Sequence, residues 1–168
     1  MPISPEWGEA MPWGAASLRG MDTPIEEMGP VDIVVIAFPP DAPMSGEAVP
    51  MLLDLVERRI IRVLDALVVV KEADGTFSGF EASGLEDKGL GELSAFEGAS
   101  SGLLGDEDAA VAAEAIEPGT VAVLLVYENR WAAPFAIAVR RNGGVLIDNQ
   151  RIPTQSLVAA LDAIETPA

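Results

Sequence analysis

Four residues, Glu72-Ala73-Asp74-Gly75, constrain the fold more than any other part of the chain. Before them runs IRVLDALVVVK, residues 61–71, rich in β-branched side chains, and after them comes TFSGFEAS, residues 76–83. An Asp-Gly pair between two such runs marks a tight hairpin, because its turn favours residues that tolerate positive φ. Two consecutive strands therefore pair antiparallel, which interrupts the regular strand–helix alternation of a small parallel, flavodoxin-like domain. The same four residues resemble the start of a calcium loop. The full pattern is missing, since Glu81 comes too early for the closing bidentate ligand of a twelve-residue loop.

The remaining elements follow from periodicity. VDIVVIAFPP is a near-continuous apolar run ended by Pro39 and Pro40, as a buried strand is. In SGEAVPMLLDLVERR, Val49, Leu52, Leu53 and Val56 fall at helical spacing, with Ser45 placed to cap and Pro50 tolerable in the first turn. Residues 82–105 are acidic and carry glycines at 84, 89, 91, 98, 102 and 105, too many for a stable helix. DEDAAVAAEAIEPG then predicts an alanine-rich helix with Asp106 as N-cap and a Pro-Gly stop. TVAVLLVYEN is a fourth strand, RWAAPFAIAVRR a third helix closed by Asn142-Gly143-Gly144, VLIDNQ a fifth strand and TQSLVAALDAI a last helix. The order βαββαβαβα, two β-α-β units with one hairpin, predicts an α+β, ferredoxin-like sandwich. Its sheet is expected to be antiparallel or mixed, with helices mainly on one face. Residues 1–28 show no sustained periodicity and read as a flexible Pro/Gly-rich tail, with Met21 or Met28 as alternative starts; residues 29–168 read as one domain.

Composition removes more functions than any motif adds. The chain has neither cysteine nor histidine, which excludes thiol catalysis, disulfides, the usual zinc sites and imidazole acid–base chemistry. Carboxylates, Lys71, Lys88 and Tyr127 remain as chemical groups, without a recognisable constellation. The acids Asp106, Glu107 and Asp108 are explained by the positive end of a helix rather than by a metal ion. No metal site and no cofactor is therefore expected. The net charge of -17 repels nucleic acid and anionic membrane surfaces. No apolar stretch approaches the ~20 residues that span a bilayer, and no secretory signal is visible, so a cytoplasmic protein is expected.

The densest group of polar and aromatic side chains is VLLVYENRWAAPF, residues 123–135. Asn129 reads as a helix N-cap, with Trp131 and Phe135 forming the apolar stripe behind it as core or interface, and with Glu128 and Arg130 solvated or paired. Residues 72–117 hold twelve acids and one base, Lys88, whereas residues 130–151 hold Arg130, Arg140, Arg141 and Arg151 against Asp148 alone. Opposite patches on one chain can pair between copies. Tyr127, Glu128, Arg130, Trp131, Arg140 and Arg141 are thus the expected partner or ligand interface, with no catalytic residue assigned.

AEAIEPGTVAVLLVYE, followed by a helix, RNGGVLIDNQRIP and a terminal alanine-rich helix, resembles a bacterial family of unknown function related to glycine-zipper membrane and general stress proteins. MGPVDIVVIAFP and IRVLDALVVVKEADG look like that family's first β-α-β unit and hairpin, so the likeness spans residues 28–164. In place of a long apolar zipper stands the short acidic segment 82–105, as in the soluble actinobacterial branch. The resemblance implies no substrate. In the tail, GAASLRG is similar to the peptides that dock cargo inside encapsulin shells, which implies docking through Trp13, Leu18 and Arg19. The leading expectation is a non-enzymatic, self-associating or partner-binding module, a homo-oligomer or a hetero-complex, with a role in stress. A metabolite-sensing domain, an encapsulin cargo protein and a carboxylate-dependent enzyme are the alternatives.

Overall fold

The computed structural model describes residues 25–43, 45–81 and 101–165. After a short 3-10 turn at Ile25–Glu27, the elements are β1 (Val31–Phe38), α1 (Ala48–Glu57), β2 (Ile61–Lys71), β3 (Phe77–Glu81), α2 (Asp106–Ala115), β4 (Val121–Asn129), α3 (Ala133–Arg141) and α4 (Thr154–Glu165). A second 3-10 turn, Arg130–Ala132, joins β4 to α3. The four strands form one sheet in the order β1-β4-β2-β3, every neighbouring pair antiparallel. The two β-α-β units are interleaved, with β4 between β1 and β2 and β2 between β3 and β4.

The hairpin lies where Asp74-Gly75 places it. Gly75 adopts φ +88°, Glu72 N–H donates to the Thr76 carbonyl at 2.7 Å, and the Asp74 carboxylate accepts both the Thr76 N–H and hydroxyl. Those two bonds, the hydroxyl first, hold the Asp74 carboxyl below its usual range.

Each face of the sheet receives its own helix, which corrects the expectation that the helices share one face. Strand alternation sends Leu67, Val69, Ala122, Leu124 and Val126 to one side, where they pack on Ala109, Ala112 and Ala113 of α2 with Leu104 and Met28. Small side chains let α2 settle closely: a Cβ on Gly79 of β3 would stand 3.1 Å from that of Ala109. The Lys71 ammonium donates to the carbonyls of Ala113 and Ile116 at 2.8 and 2.9 Å, closing the C-terminal end of α2. The opposite face carries Ala66, Val68, Val123 and Leu125, met by Val49, Leu52, Leu53 and Val56 of α1. No residue of α1 is fully buried, so this second face is only partly covered.

Other expectations shift for local reasons. Residues 145–150 form no strand: they follow the Gly143-Gly144 stop as irregular chain, with Val145, Leu146 and Ile147 exposed. The β-branched pattern gives the strand propensity, but the segment pairs with neither outer strand, β1 or β3. The chain therefore runs βαββαβαα. Helix α1 begins after Glu47 rather than at a Ser45 cap, and α2 begins after Gly105, with the Asp108 carboxylate accepting the Gly105 N–H at 2.8 Å. Asp106 is thus the first helical residue, its charge still beside the positive helix end. Among the described residues no helix is long and apolar enough to cross a membrane.

Candidate functional site

The partly covered face forms an open groove of about 980 Å³. Val34, Ile36 and Phe38 of β1 and Val123 and Leu125 of β4 make its floor, and Met51, Leu52 and Leu55 of α1 make one wall. The lining is mainly apolar, with Ser45 and Glu47 at the start of α1 as polar members. A second polar group lies at the other end of α1, where Tyr127, Asn129 and Arg151 converge.

That end is organised by Asp32, which sits opposite Tyr127 in the β1–β4 register and therefore projects from the same face. Its carboxylate accepts from Asn129 Nδ2 at 3.0 Å, from Asn149 Nδ2 at 3.1 Å and from the Arg151 guanidinium at 3.1 Å. The Arg151 guanidinium also donates to the Tyr127 hydroxyl and lies 5.7 Å from its ring centroid. Burial pushes the Tyr127 hydroxyl up from its ordinary value, further helped by the Asp32 charge and opposed by Arg151. Asp32, Tyr127, Asn149 and Arg151 together fasten the segment after α3 to the mouth of the groove.

The expected interface residues are not brought together. Tyr127 faces the groove, whereas Glu128, its neighbour in the strand, points to the opposite face and is only 2 % exposed. There it accepts from Arg62 at 2.7 Å and from the Gly29 N–H at 3.4 Å. Arg130 and Arg141 are exposed, and Arg140 donates to the carbonyls of Glu26 and Met28. Asn129 does not cap: its amide N–H groups reach the Pro30 carbonyl and Asp32, and its oxygen accepts from the Trp131 indole at 3.3 Å. The pull of the β1 start draws that side chain away from the N–H groups of the following turn. Trp131 and Phe135 are 69 % and 73 % exposed, so neither belongs to the core.

Sequence reasoning missed Asp32, Arg62 and Asn149, and counted Arg151 only as part of a charged patch. Their roles depend on register across strands that are far apart in sequence, and only the lone acid inside the apolar run VDIVVIAF gave a signal. Asp65, 3 % exposed, is a structural acid: it accepts from Ala66 and Leu104 N–H groups, both at 2.9 Å, and from the Ser101 hydroxyl. Among the described residues no group of three or more acids converges to hold a metal ion. Trp13, Leu18 and Arg19 lie outside the described residues, as does most of segment 82–105.

No curated protein and no solved structure matches the chain. A family model, "Family of unknown function (DUF6325)", matches residues 27–166, and nothing in the comparisons links it to glycine-zipper stress proteins. With nearly the whole of the described domain inside that match, the chain belongs to this family of unknown function.

Proposed function

We propose that the chain is a non-catalytic binding module that receives an apolar segment of protein in the groove between α1 and the sheet. The single observation behind this reading is the asymmetry of the two faces. One is sealed by α2, while the other leaves about 980 Å³ of apolar groove open. An exposed apolar concavity of this kind with a polar end has the composition of a recognition surface. Against catalysis by Glu128 stands the occupation of both its carboxylate oxygens by Arg62 and Gly29. A stress role, a glycine-zipper relationship and docking to a protein shell rest on sequence pattern alone.

Two substitutions at exposed positions of the groove test the reading, Met51→Glu in its wall and Ile36→Lys in its floor, 70 % and 40 % exposed. Both variants are expected to keep the native circular dichroism spectrum and to lose association measured by light scattering at low and high concentration. A native chain that stays strictly monomeric and brings no partner through purification would overturn it. The second reading, a small amphiphile seated with its polar end at Tyr127, Asn129 and Arg151, is favoured by the convergence of those three groups. It predicts a thermal shift with some member of a metabolite panel that is lost in Tyr127→Phe.

A further inference from the structure

Among the described residues one apolar stripe and one apolar groove remain unmatched. The stripe is on α4, where Leu157, Val158, Leu161 and Ile164 fall at i, i+1, i+4 and i+7 and are 50 %, 50 %, 51 % and 78 % exposed. Val145, Leu146, Ile147 and Ile152, on the approach to that helix, are exposed as well. We propose that the groove is filled by α4 of a second copy of this chain, in a reciprocal exchange that builds a two-fold dimer. The inference rests on the binding-module reading and names its partner.

Three observations carry it. First, the arm is fastened at its base: Asn149 and Arg151 hold on to Asp32, and Arg151 to Tyr127, at the mouth of the groove. Three residues later α4 begins, and all twelve of its residues are exposed. A preformed amphipathic helix held off its own body on an anchored connector has the form of an exchange arm, and exchange of an identical element is a low-cost route to dimers. Second, the dimensions agree. A helix of this length extends about 18 Å, enough to cover the groove floor from Val123 to Tyr127, about 14 Å of strand. Third, the exchange is counted twice: each copy buries the four-residue stripe of its own arm and the apolar lining of its own groove, and a stable interface of roughly 800 Å² per partner draws on both contacts together. Because each copy gives one arm and offers one groove, two contacts close the assembly and leave no free end.

The absence of cysteine makes the test clean, since any introduced thiol is the only one in its chain. One chain carries Met51→Cys on the groove wall, and a second, of different tag mass, carries Leu161→Cys on the arm. Both positions are at least half exposed, and circular dichroism checks that each variant folds. Mixed at equal concentration and treated with a short bifunctional maleimide, the two are expected to give mainly the mixed cross-linked pair. A double variant, Met51→Cys with Leu161→Cys, is expected to cross-link between chains. Cross-linking within single diluted chains instead would overturn the inference by showing that α4 closes on its own groove. Absence of the mixed pair, with Met51→Glu still abolishing association, would also overturn it while leaving the binding reading in place for another occupant. Absence of any association would remove both.

Discussion

Replacing Glu128 by Leu removes the buried carboxylate that the Arg62 guanidinium holds. Glu128 is nearly fully buried and its side chain lies 2.7 Å from Arg62, whose own side chain remains 27 % exposed. Breaking a fully buried pair by removing one partner costs about 3–5 kcal/mol, and an exposed pair contributes about 0–1 kcal/mol. The partial exposure of Arg62 lets water take up part of the lost interaction, which places the expected loss at about 2–3 kcal/mol. For a domain of this size each kcal/mol lowers Tm by roughly 3 °C, so the drop is about 6–9 °C. Replacing Arg62 by Met as well removes the charge that Glu128→Leu leaves behind, and the double variant is expected to recover most of the loss. Urea unfolding of the two single variants and the double variant measures the coupling directly. Additive losses, or a Glu128→Leu variant within about 0.5 kcal/mol of the native chain, would refute the reasoning and reopen Glu128 as a group held for chemistry.

Further perturbations follow from the same geometry. A Cβ at position 29 would lie 2.2 Å from the Asn129 carbonyl oxygen, so Gly29→Ala must shift β4 against the entry to β1 and is expected to cost at least about 2 kcal/mol in urea unfolding. Lys71→Met removes both side-chain bonds to the end of α2 and is expected to cost about 2 kcal/mol, with faster amide exchange in residues 113–116. The raised pKa of Tyr127 means that the folded chain holds this proton more tightly than the unfolded chain. Its contribution is whole below the unfolded pKa, near 10, and is lost as pH rises through the folded value, so native stability should fall more steeply above about pH 10 than that of Tyr127→Phe. Association through an apolar groove between copies that each carry a charge of -17 should tighten as salt screens their repulsion, whereas pairing of opposite surface patches would loosen; sedimentation at low and high salt separates the two.

The parts of the fold legible in the sequence are those set by local chemistry. Asp74-Gly75 located its hairpin because the turn needs residues of that kind, and the apolar runs located β2 and β4, central strands buried on both faces, and also β1, although that edge strand is only partly covered. The helix ends at Asn142-Gly143 and after Ile116 were equally readable. Periodicity carries no information on which face each helix takes, so α1 and α2 were expected together although they lie apart. Val145-Leu146-Ile147 shows the limit most plainly: its residues favour a strand, yet the segment pairs with neither outer strand, β1 or β3, and Asn149 and Arg151 just beyond it bind the Asp32 side chain instead. At the site, Tyr127 was noticed for its neighbours in sequence, but Asp32, Asn149 and Arg151 join it only through register and chain return. Glu128 and Arg130, adjacent to it in sequence, are turned away by the strand's alternation and by the turn that follows.

In the proposed dimer the stripe of α4 covers the open groove of a second copy. Light scattering of the native chain beside a variant carrying Leu157→Asp and Leu161→Asp tests it most directly, because both residues are half exposed and neither belongs to the folded core. A dimer mass for the native chain and a monomer mass for the variant, with unchanged circular dichroism of the sheet, is the predicted result. A native monomer, or a dimer that survives both substitutions, would contradict it.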